Sequence, residues 1–352
     1  VTVRRGRWSR ALAAASVVVA VLASAGCRES RTLPLGEDGQ PEITIMVGGV
    51  DKVIYLPAML TERLGGFERQ GLRVKLLSEQ SGANAETTLL SGDVHAVVGF
   101  YDHTIDLQAK DQCITSVVQL ADVPGEVELV AANKADEIRS PADFRGRKLG
   151  VTSLGSSTDF LTRYLAGSAG LSTSDYTTVK VGAGQTFIAG MTNGGIDAGM
   201  TTDPTVAQLV NSGKAKIIAD MRTEEGTRQA LGGLYPASSV YMKCEIVERY
   251  PEVVQKLANA FVETLRWLKQ HTPEEIADRM PPSFANAGRD LYVQSIRDSV
   301  GMFNGTGRMK PEGAQNVLNV LSQFSTNVKP KKDRIDLSRT YTTRFVDNVP
   351  AS

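Results

Sequence analysis

Cysteine and histidine are scarce in this chain of 352 residues, at three of each. No CxxC occurs and no two histidines stand at helical spacing, so neither a metal nor another cofactor is expected. The sequence also lacks a P-loop and a hydrolase nucleophile elbow. Gly182, Gly184 and Gly190 do not follow a strand at GxGxxG spacing, so a dinucleotide site is not expected either. Net charge is missing as well, since 39 basic residues balance 39 acidic ones, and nothing electrostatic points to nucleic acid. Beyond the first 26 residues no run is long and apolar enough to span a bilayer. What remains for acid-base chemistry is one pair, Asp102-His103. On an extended segment adjacent side chains point to opposite sides, so the pair is expected to contact a ligand or support the fold rather than to work as a dyad.

The N-terminus carries the charge asymmetry. Arg4, Arg5, Arg7 and Arg10 precede the apolar run Ala11 to Ala25, and Ser24-Ala25-Gly26 leads to Cys27. This is the pattern of an export signal. The small residues before a cysteine resemble a bacterial lipobox, in which that cysteine is lipidated and begins the mature chain, although Ser24 stands where leucine is usual. A plain secretory signal or an uncleaved anchor is the alternative. Removing residues 1–26 takes away four arginines and no acid, leaving 35 basic against 39 acidic side chains. Residues 28–41, RESRTLPLGEDGQP, are rich in turn formers and are expected to be a flexible tether.

From Ile43 onward the chain alternates strand, loop and helix. ITIMVGG is a short strand, Met59 to Leu64 has helical spacing, Leu72 to Leu77 is a second strand, and a helix over Ala85 to Leu90 leads into strand Val94 to Gly99. That order predicts an α/β domain with a mostly parallel sheet, whose ligand sits beyond the carboxyl ends of the strands. Tyr55, Ser81-Gly82 and Phe100 to Thr104 fall at those ends. The third unit has an echo: Gly82 to Val97 aligns without gaps with Gly184 to Gly199, pairing Gly92 with Gly194 and Ala96 with Ala198. Two related lobes explain it. Lys148 to Gly170 then opens the second lobe as strand, turn and helix. Its turn, Ser153 to Thr158, offers backbone N–H groups and hydroxyls to an anion, or simply caps the helix.

Glu126 to Ala131 and Ser238 to Lys243 have the look of crossovers between the lobes. A long amphipathic helix is expected from Pro251, and a terminal helix over Ile335 to Val349. A two-lobed, exported α/β chain with polar loops facing one cleft suits solute capture by hinge closure.

Five stretches carry a family resemblance: YLPAMLTERLGGFERQGLRV, LLSGDVHAVVG, PADFRGRKLGVTSLGSSTDF, MTNGGIDAGMTTDPT and YMKCEIVERYPEVVQKLANAF. In this order and spacing the chain resembles the nitrate, taurine and alkanesulfonate class of ABC-transporter substrate-binding proteins, which includes binders of thiamine-pyrimidine precursors. The resemblance implies a type II periplasmic-binding-protein fold, with lobe 1 at 42–131 and 238–349, lobe 2 at 132–237, and two crossover strands. It implies ligand contacts from Tyr55, Ser81, Gly82, Phe100, Tyr101, Asp102, His103, Ser153, Gly155, Ser156, Ser157, Thr158, Gln185, Thr186, Thr201 and Asp203. None of those loops is credited with Arg or Lys, which favours neutral donors or a largely uncharged ligand. The implied partners are a small-molecule solute, a permease with its ATPase, and the membrane through the lipid on Cys27, with the receptor itself a monomer outside the cytoplasm. In the resembling fold the return strand lies antiparallel beside Ile114 to Leu120, which would bring Cys244 to Cys113 as a disulfide, the alternative being two buried thiols. Related pyrimidine-synthesising enzymes carry a cysteine-rich iron motif that this chain lacks; a cleft enzyme and a sensory binding protein are the rival readings.

Overall fold

The structure, a computed structural model, describes residues 33–351. The signal segment and Cys27 lie outside the described residues. Lobe 1 runs β1 (Glu42–Val47), α1 (Leu56–Arg63), the single turn α2 (Gly66–Arg69), β2 (Arg73–Ser78), α3 (Gly82–Ser91), β3 (Ala96–Phe100), α4 (Asp102–Ala109) and β4 (Ile114–Gln119). Lobe 2 follows as β5 (Glu126–Ala131), β6 (Lys148–Val151), α5 (Ser157–Ser168), β7 (Thr177–Lys180), α6 (Gln185–Thr192), β8 (Ala198–Thr202), α7 (Thr205–Asn211), β9 (Ala215–Asp220) and α8 (Glu224–Leu231). The chain returns through β10 (Ser238–Lys243), α9 (Cys244–Arg249), α10 (Pro251–Leu268), α11 (Pro273–Arg279), α12 (Arg289–Ser299) and α13 (Pro311–Phe324).

Each lobe holds a five-stranded sheet, in the order β2-β1-β3-β10-β4 and β7-β6-β8-β5-β9. In each sheet one strand is antiparallel to its neighbours, β10 in the first and β5 in the second, and these are the strands that enter from the other lobe. β5 therefore belongs to lobe 2, and the boundary expected after residue 131 falls before Glu126.

The repeat is visible in the hydrogen bonds. His95 gives its backbone N–H to Thr44 O and accepts the Thr44 N–H on Nδ1 at 2.9 Å. Asp197 gives its N–H to Lys148 O and accepts the Lys148 N–H on Oδ2 at 2.9 Å. The same reciprocal pair thus ties the start of β3 to β1 in lobe 1 and the start of β8 to β6 in lobe 2. Gly92 and Gly194 end the equivalent helices with φ of 80° and 75°, a backbone that disfavours a side chain.

The long helix starts at Pro251 and buries Val253, Val254, Leu257, Phe261, Val262 and Leu265 in the lobe 1 core. Cys113 and Cys244 are joined by a disulfide with their Cα atoms 5.5 Å apart, at the ends of the paired strands β4 and β10.

Two further expectations fail. No helix forms over Ile335 to Val349. Short 3-10 turns lie at Leu337–Arg339 and Val346–Asn348, and Tyr341 forms a parallel bridge to Ser116 beside β4. The β-branched threonines 340, 342 and 343 favour that extended path. The described part of the tether is also not free. Leu33 is buried and gives its N–H to Tyr250 Oη, Glu42 N–H reaches Pro34 O, and Asp38 pairs with Arg73.

Candidate functional site

The strand ends of the two lobes face each other, and between them about 10 Å³ of free space remains, room for no more than one water. Lys52, Ile54, Tyr55, Gly82, Glu126, Thr152, Ser156, Ser157, Thr158 and Thr202 line it. The lobes are closed on one another.

Lys52 follows the glycines that stop β1. Its side chain is buried, and its Nζ donates to Gly48 O at 2.6 Å and to Gln80 O at 2.9 Å. Burial pulls the ammonium down to about 8, against the attraction of Asp51 and Glu126. Glu126 opens β5 and is buried, yet its Oε2 takes no hydrogen bond from any described group. Burial and then the nearby Asp102 carboxylate hold Glu126 protonated well above the usual range. Two residues on, and so on the same face of β5, burial pushes Glu128 up to about 8 despite a bond from Thr162.

The Ser153 to Thr158 turn is closed on itself. Thr152, Ser156 and Thr158 hydroxyls bond one another at 2.7–3.0 Å, and Ser156 also donates to Ser153 O. Gly155 has φ +77° and gives its N–H to Asp159, away from the free space. The hydroxyls lie at the cleft, but in this closed state they are already paired.

Of the other expected contacts, Tyr55 and Gly82 line the space, and Ser81 caps α3 by accepting Asn84 N–H. Phe100 packs edge-on to Tyr55 with ring centres 6.2 Å apart. Tyr101 points into the core and bonds Thr340 at 2.5 Å. Gln185 and Thr186 are exposed, and Thr201 is buried on the face of β8 opposite Thr202.

The Asp102-His103 pair is not on an extended segment. It starts α4, where a carboxylate suits the positive helix end. Asp102 is fully buried, accepting from Ser157 Oγ and Tyr235 Oη, both at 2.9 Å. His103 is equally buried, with Nδ1 2.9 Å from Glu86. Burial opposes its charge, but Glu86 and then Asp102 outweigh that and raise it to about 8. Asp203 is also sequestered, by Ala207 N–H, Arg222 and Ser299.

Sequence reasoning missed Lys52, Ile54, Glu126 and Thr152; the loops it named hold no Arg or Lys, and Lys52 reaches the cleft from outside them. The available signal was Glu126-Val-Glu128 inside an otherwise apolar strand, because acids there must be buried.

A family model described as "NMT1/THI5 like" matches residues 55–276. A solved structure from Bordetella bronchiseptica RB50 is 30% identical, covering 87% of this chain and 96% of that one at a TM-score of 0.83. The alkanesulfonate-binding protein of Xanthomonas axonopodis pv. citri shares the fold at 15% identity, with 86% and 98% covered and a TM-score of 0.68. A curated relative from Aspergillus parasiticus, named 4-amino-5-hydroxymethyl-2-methylpyrimidine phosphate synthase, is 29% identical over 163 residues, and the match spans 45% of each protein.

Proposed function

Because the chain belongs to the NMT1/THI5-like family, we propose that it is an extracytoplasmic solute-binding protein, anchored through Cys27, that closes on a polar heteroaromatic solute of aminopyrimidine type and hands it to a permease and its ATPase. The observation that carries this reading is the buried Glu126 Oε2 without a donor, facing the same space as Lys52. An unsatisfied buried acceptor costs about 1–3 kcal/mol, which a bound amino group would recover. A sulfonate or nitrate has no N–H to offer and would leave Glu126 Oε2 without a donor. An aminopyrimidine instead offers an N–H donor to Glu126 and a ring nitrogen that accepts from Lys52 or from the protonated acid, with Tyr55 beside the ring. The fold is that of ABC-importer binding proteins, and the curated relative's name contains an aminopyrimidine.

The same name supports a second reading, that of a synthase. Against it, Asp102 has both oxygens bonded to protein hydroxyls, and neither Asp102 nor His103 lines the free space.

The test is a thermal-shift screen of the full chain against aminopyrimidines, alkanesulfonates, nitrate and taurine. A ligand at a hundredfold over its Kd stabilises the native state by roughly 2.7 kcal/mol. The expected result is a shift with aminopyrimidines that Glu126→Gln weakens at least tenfold in apparent affinity. A shift with sulfonates alone, undiminished in Glu126→Gln, overturns the proposal.

A further inference from the structure

Two fully buried carboxylates stand at matching places in the two lobes. Asp102 lies just past β3 and Asp203 just past β8, each the middle strand of its sheet. Asp102 Oδ1 accepts from Ser157 Oγ of lobe 2 at 2.9 Å, and Oδ2 accepts from Tyr235 Oη at 2.9 Å. Asp203 Oδ2 accepts from Ser299 Oγ at 3.0 Å, and Ser299 ends α12, whose Tyr292 and Ile296 sit in the lobe 1 core. The same oxygen accepts from Arg222 Nη1 at 3.0 Å, Oδ1 accepts from Ala207 N–H, and the Asp203 carbonyl accepts the Val53 N–H of lobe 1 at 3.0 Å. Asp102 therefore takes two hydroxyls from the opposite lobe, Ser157 and Tyr235, and Asp203 takes one hydroxyl from the opposite lobe, Ser299, beside Arg222 of its own lobe. Neither lines the free space, and unlike Glu126 neither has an oxygen left for a solute.

We propose that Asp102 and Asp203 form a paired clasp that holds the lobes closed and so sets how firmly a solute is retained without touching it; the retention half of this rests on the solute-capture reading above. Both are positioning residues. Their bonds to Ser157 and Ser299 form only when the lobes meet, so each adds to the closed state alone and shifts the open–closed balance by its own free energy. Hydrogen bonds to charged or acidic partners in a dry junction are worth about tenfold in such an equilibrium.

Ser157→Ala and Ser299→Ala, singly and together, test this, because each leaves its carboxylate a partner in Tyr235 or Arg222 and so spares the fold. Hydrogen exchange of the solute-free full chain is the primary readout. The Val53 amide and the loops at 48–55 and 201–205 are expected to exchange about tenfold faster for one serine and about a hundredfold faster for both, with β10 amides unchanged. Ser157→Thr and Ser299→Thr, which keep a hydroxyl, are expected to restore most of the protection. Ser299 does not line the cleft, so Ser299→Ala carries the affinity arm, with an aminopyrimidine from the screen as the probe and a dissociation rate raised about tenfold. Wild-type exchange at both loops in the double variant overturns the clasp, and so does faster exchange that includes β10, which would mark general loosening. If exchange changes as expected while no solute binds, the clasp stands and the solute reading fails.

Discussion

Three buried acids do different work in one junction, and their partners decide which. Asp102 has both oxygens bonded to protein hydroxyls, Glu126 keeps Oε2 buried without a partner among the described residues, and Glu128 keeps Oε1 unpaired two residues on. Glu128 gives the cleanest pH signature. Its folded pKa is raised to about 8, so between about 4.5 and 8 the unfolded chain has lost the proton that the folded chain keeps, and stability falls as pH rises through that window. His103 adds in the same direction. Its stabilisation, from a folded pKa of about 8, is complete below the unfolded value near 6.5 and is lost as pH rises through about 8. Glu128→Gln is therefore expected to make the fall in Tm between about pH 5 and 8 shallower, leaving the part due to Glu126, whose carboxyl group is also held well above the usual range, and the His103 part between about 6.5 and 8. A variant whose Tm falls with pH as steeply as wild type would show that Glu128 is ionised in the fold.

At the scale of elements, β4 and β10 are held by ladder hydrogen bonds and by Cys113–Cys244, which spans 131 residues of sequence. Cross-linking so long a loop constrains the unfolded chain strongly, so Cys113→Ser is expected to cost about 2–5 kcal/mol in a urea titration. A loss under about 0.5 kcal/mol would mean that the strand pair alone fixes this edge.

The strand and helix order was legible in the sequence because glycine stops and apolar runs recur at the right spacing, and Gly82 to Val97 with its echo disclosed two lobes. Places where two segments meet were not legible. Nothing around Ser157 shows that its hydroxyl bonds Asp102 from the other lobe, and nothing around Tyr101 shows that it turns to Thr340. Those choices depend on partners 55 and 239 residues away. The tail at Ile335 to Val349 was misread because its apolar residues fit a helix, while its threonines pair beside β4.

For the whole molecule, closure is stitched on two sides. α13 packs against α4 of lobe 1 and α5 of lobe 2, and α12 packs on the turn at Val53–Tyr55 and on α7. Opening must release Asp102 from Ser157 and Asp203 from Val53 and Ser299, then expose the space around Lys52 and Glu126 that closure shrinks to about 10 Å³. Under the proposed function a solute would enter in the open state and be enclosed on closing, and its interactions with the two lobes would add to those of the clasp.

The central claim, that this cleft retains an aminopyrimidine unchanged, is tested most directly by competitive equilibrium dialysis of the full chain. Isotope-labelled 4-amino-5-hydroxymethyl-2-methylpyrimidine and butanesulfonate would be supplied together, and the retained fraction analysed by mass spectrometry. The account predicts about one equivalent of pyrimidine per chain, of unaltered mass, displaced by unlabelled pyrimidine but not by excess sulfonate. Retention of the sulfonate with exclusion of the pyrimidine would contradict it, and so would recovery of the pyrimidine in chemically altered form.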